Sequence, residues 1–351
     1  MKKVRFLAPV VALAAVAVVA VSLVGTGAAA PKAGYSAGLV SDVGRFNDKG
    51  FNQAQLKGLN FAKSHISGLS TTAVESHSAG DYLPNFASLA RKGTNIIIGA
   101  GFLLAAQEAT VAKQFPNTKF AITDYDVSPK TDPGNPFAKA GVKNVEGLTY
   151  ATQENSYLAG CLAGLMVKKA GGSQIIGFVG GVKIPPVDAF LAGYQAGAKK
   201  CDPGIKVLKG YSQDFIDQAK CKTVAQNQID AGSQVEFNVA GPCGLGTLDA
   251  ANDAGIWGIG VDVDQYSLHP AHILTSAVKR VDTGVYLAIK GAQAGSGFKG
   301  GGNLVFNLKN GGVAVGKISK KAKIPASWLK QINTLKRQII AGKIKPPTTI
   351  G

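Results

Sequence analysis

One rhythm recurs along most of this chain: a short apolar run, a turn carrying glycine, then a stretch with helix-like spacing of apolar residues. The apolar runs are Gly38 to Ser41, Ile96 to Ile98, Phe120 to Thr123, Ile175 to Val179, Val207 to Tyr211, Val235 to Ala240, Trp257 to Val261 and Ile273 to Ser276. Between them lie Gln53 to Ser64, Leu83 to Lys92, Ala105 to Gln114, Asn155 to Ala170, Pro186 to Lys200, Gln218 to Ala231 and Leu248 to Ala254. Alternation of this kind argues for parallel sheets with helices on both faces. About 320 residues remain once a leader is removed, too many for one ordinary core and enough for two lobes. The Gly-, Pro- and Asp-rich stretch Val127 to Lys143 is read as a surface loop before the second lobe. No internal repeat of about 20 to 50 residues is evident, although the two halves can share a topology.

The N-terminus sets the compartment. Lys2, Lys3 and Arg5 precede an apolar stretch from Phe6 to Val24, followed by small residues from Gly25 to Ala30. Basic, apolar and small regions in that order make a signal peptide over 1–29, cut before Ala30. The apolar run approaches the roughly 18 to 20 residues that span a bilayer, so an uncleaved N-terminal anchor is the alternative. No cysteine near the small residues offers a lipid attachment point. The chain is expected at the periplasmic or extracellular face of the plasma membrane, as a monomer.

Removing the leader's three basic residues lowers the formal charge from +17 to +14. After Asp282 there is no acidic residue, while twelve basic ones follow, from Lys290 to Lys345. The plain reading is a solvated face of a basic protein; the functional one is attraction to an anionic envelope surface or an acidic partner. Nucleic acid is disfavoured, because the export signal leads away from it and the basic stretch lacks interleaved aromatics.

Cys161, Cys201, Cys221 and Cys243 show none of the close spacing that zinc sites use. In an oxidising compartment four cysteines allow three disulfide connectivities. Cys221 opens a helix after one strand and Cys243 follows the next, which favours Cys221 with Cys243 and, by elimination, Cys161 with Cys201. Unpaired buried cysteines are the alternative.

Enzyme signatures fail. There is no phosphate-cradling P-loop. Gly99-Ala100-Gly101 and Gly244-Leu245-Gly246 follow strands, but Leu104 stands where a dinucleotide turn needs its third glycine. Both are better read as turns that let a backbone come close to something. His65, His77, His269 and His272 provide no His-Glu-x-x-His arrangement and no obvious acid partner; His269-Pro-Ala-His272 could in principle bind metal, but exposed loop histidines are the plainer reading, and no nucleophile has a base nearby. No metal or cofactor is expected.

What recurs is a set of acids, aromatics and glycines at strand ends. Asp42 to Asn52 reads Asp-Val-Gly-Arg-Phe-Asn-Asp-Lys-Gly-Phe-Asn, where a strand hands over to a helix. Asp124 ends Phe120 to Thr123, Phe215 follows the strand ending at Tyr211, Gly241 follows Ala240, Asp262 ends Trp257 to Val261, and Lys279 comes just after Thr275-Ser276. In parallel sheets these residues gather at the same edges, in the crevice where such folds bind ligands. Phe51 and Phe215 could close on the faces of a planar ring while carboxylates and an amide meet its rim.

Through these segments the chain resembles the basic membrane protein family of ABC-transporter substrate-binding proteins, relatives of the purine nucleoside receptor lipoprotein. The resemblance spans about Gly38 to Lys290. It also shows in Tyr82-Leu83-Pro84-Asn85, in Phe115 to Asp124, in Glu154 to Gly160, in Gly258 to Gln265 and in Thr275 to Arg280. It implies a two-lobed type I periplasmic-binding-protein fold with hinge crossovers, a nucleoside in the cleft, and an ABC permease and ATPase as partners. The lobes would be 36–148 with about 265–300, and 149–264 with about 301–350. By that likeness Phe51 and Phe215 stack on the base, Asp124 meets its polar edge, and Asn52, Gly241, Asp262 and Lys279 surround the ribose. A carboxylate facing two donors makes guanosine or inosine the first expectation. Arg45 and Phe46 replace the small residues usual after Gly44, Gly50 stands for a serine, and the lipid-attachment cysteine is missing. Three function classes follow: the solute-binding subunit of an importer, favoured here; a ligand-sensing receptor component, or a binder of a sugar or other solute; and a nucleoside-cleaving enzyme, which the lack of a metal-binding acid cluster disfavours.

Overall fold

A computed structural model describes Met1 and residues 34–128 and 134–350. Beyond Met1, the segment expected to be a signal peptide falls outside these residues. The alternation yields β1 (Ser36–Val40), α1 (Phe51–His65), β2 (Ser70–Val74), α2 (Tyr82–Arg91), β3 (Ile96–Gly99), α3 (Ala105–Gln114), β4 (Lys119–Thr123), a short α4 (Pro136–Ala140) and β5 (Val145–Tyr150). The second lobe is built from α5 (Thr152–Ala170), β6 (Ile175–Gly180), α6 (Pro185–Cys201), β7 (Lys206–Tyr211), α7 (Gln218–Asp230), β8 (Ser233–Val239), α8 (Gly244–Asp253), β9 (Trp257–Asp262) and β10 (Ile273–Lys279). The chain then returns to the first lobe with α9 (Val281–Ala294) and β11 (Asn303–Phe306). It ends in the second with β12 (Val313–Val315) and α10 (Ala326–Ile340).

The two sheets have orders β11-β5-β4-β3-β1-β2 and β12-β10-β9-β8-β6-β7. All pairings are parallel except β12 on β10. Counted within each lobe, both orders place the first strand between the second and third, so the lobes share one topology and one switch point. Strands such as Ile96–Gly99 are buried along their whole length, as strands covered on both faces must be. Each fully buried aliphatic side chain there contributes about 1.5–3 kcal/mol. The near-continuous burial of α5 explains its weak amphipathic pattern: it is enclosed by the sheet, α6 and α10.

Lobe boundaries differ from the sequence reading. β10 pairs with β9 and belongs to the second sheet, whereas α9 packs on α1 and β11 pairs with β5. The crossovers therefore fall at 150–152, 279–281 and 306–313 in place of about 265 and 300. The reason is local: β10 is a buried run directly after β9, and consecutive strands tend to pair. Val127 to Lys143 is also more than a surface loop, because Val127 and Phe137 are buried in the first lobe's core. Asn135 caps α4 through hydrogen bonds from the Phe137 and Ala138 amides. This stretch precedes β5, so it does not separate the lobes.

Two glutamates are buried where strand glycines leave room. Glu108 packs against Gly99, with no hydrogen-bond partner for its carboxylate among the described residues, and Glu236 packs against Gly177 with Ser233 nearby. Burial pushes the Glu236 carboxyl up to about 8 from 4.5, against a small opposing effect of Ser233. A carboxyl raised on folding gives its full stabilising contribution below the unfolded value and loses it as pH rises through the folded one. Thermal unfolding between pH 5 and about pH 8 should therefore show Glu236→Gln gaining stability relative to the parent as pH rises. Parallel curves for the two proteins would refute a neutral buried Glu236.

Candidate functional site

The loop from β1 to α1 is built around Asp48. Its carboxylate accepts hydrogen bonds from the amides of Gly50 (2.9 Å), Asn52 (2.8 Å) and Gln53 (3.0 Å), and so caps α1. Phe51, the first residue of α1, is thereby fixed at the helix N-terminus. Asn52 is buried and turned back into the loop: its Nδ2 donates to Asp42 (2.6 Å) and Asp48 (3.1 Å), and its Oδ1 accepts from the Asp42 amide (3.2 Å). The sequence reading gave Asn52 to the ribose. Here its amide hydrogens hold two carboxylates in place.

The repeated topology places like residues at like strand ends. Asp124 follows β4 and Asp262 ends β9, the fourth strand of each lobe, and both have left-handed backbone, φ 65° and 63°. Gly101 follows β3 and Gly241 follows β8, the third strand of each lobe, again with positive φ. A side chain on Gly101 would press on the Phe51 ring, and one on Gly241 would touch the Phe215 carbonyl from a backbone conformation that favours glycine. Of the two glycine turns expected to allow close approach, Gly99-Ala100-Gly101 backs the Phe51 wall. Gly244 and Gly246 serve packing, against Asn238 and the Gln218 backbone.

Between these groups lies Lys279, at the end of β10. Its ammonium donates to Oδ2 of Asp124 at 2.8 Å and stands 3.2 Å from Oδ1 of Asp262. It also sits 4.5 Å from the centre of the Phe51 ring, a cation–π contact. Asp124 and Phe51 belong to the first lobe, Asp262 and Lys279 to the second, so one ammonium ties the lobes together. A further bond crosses from Nε2 of Gln265 to the Lys49 carbonyl at 3.4 Å.

All eight residues expected at a ligand site, Asp42, Phe51, Asn52, Asp124, Phe215, Gly241, Asp262 and Lys279, line one cavity between the lobes. The enclosed space between the lobes is about 70 Å³, room for a few water molecules and smaller than the roughly 300–1,000 Å³ of typical ligand sites, so the lobes stand closely shut over it. The sequence reading missed Asp48, Phe102, Leu103 and Phe190, which also line it. Asp48 carried a signal, an acid just ahead of a helix start. Phe190 carried none, because a cavity-facing position on α6 has the same spacing as a core one.

Burial raises the Asp42 carboxyl to about 6; hydrogen bonds from Gly44 and Asn52 oppose the rise, and Asp48 and Asp262 add to it. Burial likewise lifts Asp262 to about 6, against Lys279 and with Asp124. For Lys279 burial works against the charge, but Asp124 and Asp262 outweigh it and hold the ammonium above its usual value. Four aspartates face one lysine, so the cavity suits a neutral ligand rich in hydrogen-bond donors. Among the described residues nothing donates a hydrogen bond to Oδ2 of Asp42 or Oδ1 of Asp124, and both side chains border this space.

Outside the cavity, His269 lies 2.7 Å from Asp249, an acid partner that the sequence reading did not identify. Among the described residues no group of three or more metal-ligating side chains gathers. The structure pairs Cys161 with Cys201, linking α5 to α6, and Cys221 with Cys243, linking α7 to the turn before α8.

Comparison with known proteins agrees with this architecture. The family model for PnrA-like ABC transporter substrate-binding proteins, Bmp, matches residues 36–349. The ABC transporter nucleoside-binding protein BmpA of Lactococcus lactis is 33% identical over 337 residues, covering 90% of each chain. Basic membrane protein A1 of Borrelia garinii is 32% identical over 306 residues, covering 87% of this chain and 86% of the relative. Among solved structures, a solute-binding protein of an ABC transporter system from Aeropyrum pernix superposes with a TM-score of 0.77 at 25% identity, covering 89% of this chain and 94% of that one. With the family model spanning nearly all of the described residues, the chain belongs to the PnrA-like family of ABC transporter substrate-binding proteins.

Proposed function

We propose that this protein captures a purine nucleoside between its lobes, outside the cytoplasm, and delivers it to an ABC permease. The observation that carries the reading is the cavity itself: Phe51 and Phe215 enter it from opposite lobes, and carboxylates with open acceptor positions stand around them. Two aromatic faces suit a flat base. Asp262 and Lys279 suit a sugar diol, the carboxylate accepting and the ammonium donating. The name of the Lactococcus relative, a nucleoside-binding protein, points the same way. Lobe closure then needs no chemistry: the ligand stabilises the closed form, whose shape a membrane partner can read.

The open oxygens of Asp42 and Asp124 are acceptors, and guanine and hypoxanthine present a ring N–H to such groups where adenine presents an acceptor. Guanosine or inosine is therefore preferred over adenosine. The surplus of aspartates disfavours phosphorylated forms.

Thermal unfolding with a panel of nucleosides, nucleotides, free bases and sugars tests the reading. A ligand at a hundredfold excess over its dissociation constant should add about 2.7 kcal/mol. Guanosine and inosine should shift the midpoint, guanosine monophosphate should not, and a shift with sugars alone would overturn the nucleoside. Phe51→Ala and Phe215→Ala should each weaken guanosine binding by about 1–3 kcal/mol in calorimetry; unchanged affinity in both would remove the aromatic sandwich. Asp42 and Asp262 protonate near pH 6, so guanosine affinity should fall as pH drops from 7 to 5. A flat profile would mean that neither carboxylate meets the ligand.

A further inference from the structure

The two aromatic walls are held in different ways. Phe51 begins a 15-residue helix capped by Asp48. Phe215 sits in the irregular turn between β7 and α7, with its ring over Gly181. The Ser212 and Gln213 amides tie the start of that turn to Gly180 and Gly181, and Asp214 accepts from the Ile216 and Asp217 amides; its contacts toward α8 converge on Cys243. The Cys243 amide donates to the Phe215 carbonyl at 3.0 Å, and its sulfur lies 2.9 Å from the Asp217 carbonyl oxygen and 3.4 Å from the Ser212 hydroxyl. Cys243 is in turn bonded to Cys221, in the first turn of α7, immediately after the Phe215 turn. Both half-cystines are fully buried in a small cluster with Val179, Ala225, Ala240 and Ala250.

We propose that the Cys221–Cys243 disulfide is a positioning element of the ligand site: it fixes Cys243, and through it the Phe215 wall. The covalent link, the Phe215 turn and the start of α7 form one closed circuit, so the ring keeps its place without the support of a regular element. The Cys161–Cys201 link, between the middle of α5 and the last residue of α6, has no such connection and serves the fold of the lobe alone. The geometry stands by itself; its consequence for affinity rests on the nucleoside reading above.

The test compares a Cys221→Ala/Cys243→Ala variant with a Cys161→Ala/Cys201→Ala control in the full chain. Backbone hydrogen exchange over 212–217 and 241–243, measured without ligand, should quicken by about tenfold or more in the first variant and stay at the parent rate in the control. Exchange at the start of α1 should be unchanged in both. Guanosine affinity should fall by about tenfold in the first variant only. Unaltered exchange over 212–217, or an equal change in both variants, overturns the proposal. If the first variant does not fold, Cys221→Val/Cys243→Ala restores volume in the apolar cluster. Failure of both to fold, with the control folded, assigns the disulfide to the lobe rather than the wall and also overturns it. If the parent itself binds no guanosine, the nucleoside reading fails, while exchange still decides the role of the disulfide.

Discussion

A buried ammonium needs carboxylates, and in this protein Lys279 takes them from both lobes. Asp262 is its neighbour within the second sheet, so that pairing survives any relative motion of the lobes. Asp124 comes from the first lobe and can pair only when the cleft is shut. Moving the lobes apart therefore exchanges one charge-assisted hydrogen bond for hydration of both groups. Removing Lys279 outright would leave two carboxylates uncompensated in a low-dielectric interior, the costly case for such groups. The rest of the site is arranged around this constraint: Phe51 lies beside the ammonium, and the elevated Asp42 and Asp262 carboxyls belong to the same enclosed space.

The shared topology of the lobes explains why so few residue types recur at the site. Both contribute an aspartate after the fourth strand and a glycine after the third, each in a backbone conformation that favours glycine and costs other residues energy. Paying that cost twice, at equivalent places, aims two carboxylates into one space from opposite sides. The aromatic walls break the symmetry: one stands on a capped helix, the other on a turn tied from behind.

Much of this was legible in the sequence, for an identifiable reason. Once apolar runs alternate with helices, a parallel sheet follows, and everything at strand ends is brought to one edge. Asp124, Gly241, Asp262 and Lys279 could be collected in this way without any contact being known. What stayed hidden depends on distance or on side-chain direction. No local pattern joins Lys279 to Asp124, 155 residues apart, and none shows that Asn52 turns inward. The stretch Asn303–Phe306 is too short and glycine-flanked to stand out, and β12, three residues long, leaves less trace still. Those two strands decide the lobe boundaries. Phe137, surrounded by Gly, Pro and Asp, lay in a segment whose composition suggested solvent rather than core.

The exchange of β11 and β12 between lobes also orders the birth of the molecule. The first sheet lacks its edge until residues 303–306 arrive, and the second lacks its own until 313–315. Neither lobe can close its sheet as a self-contained unit while the chain is still emerging, and the first must wait the longer, because β11 pairs with a strand more than 150 residues before it whereas β12 follows β10 closely.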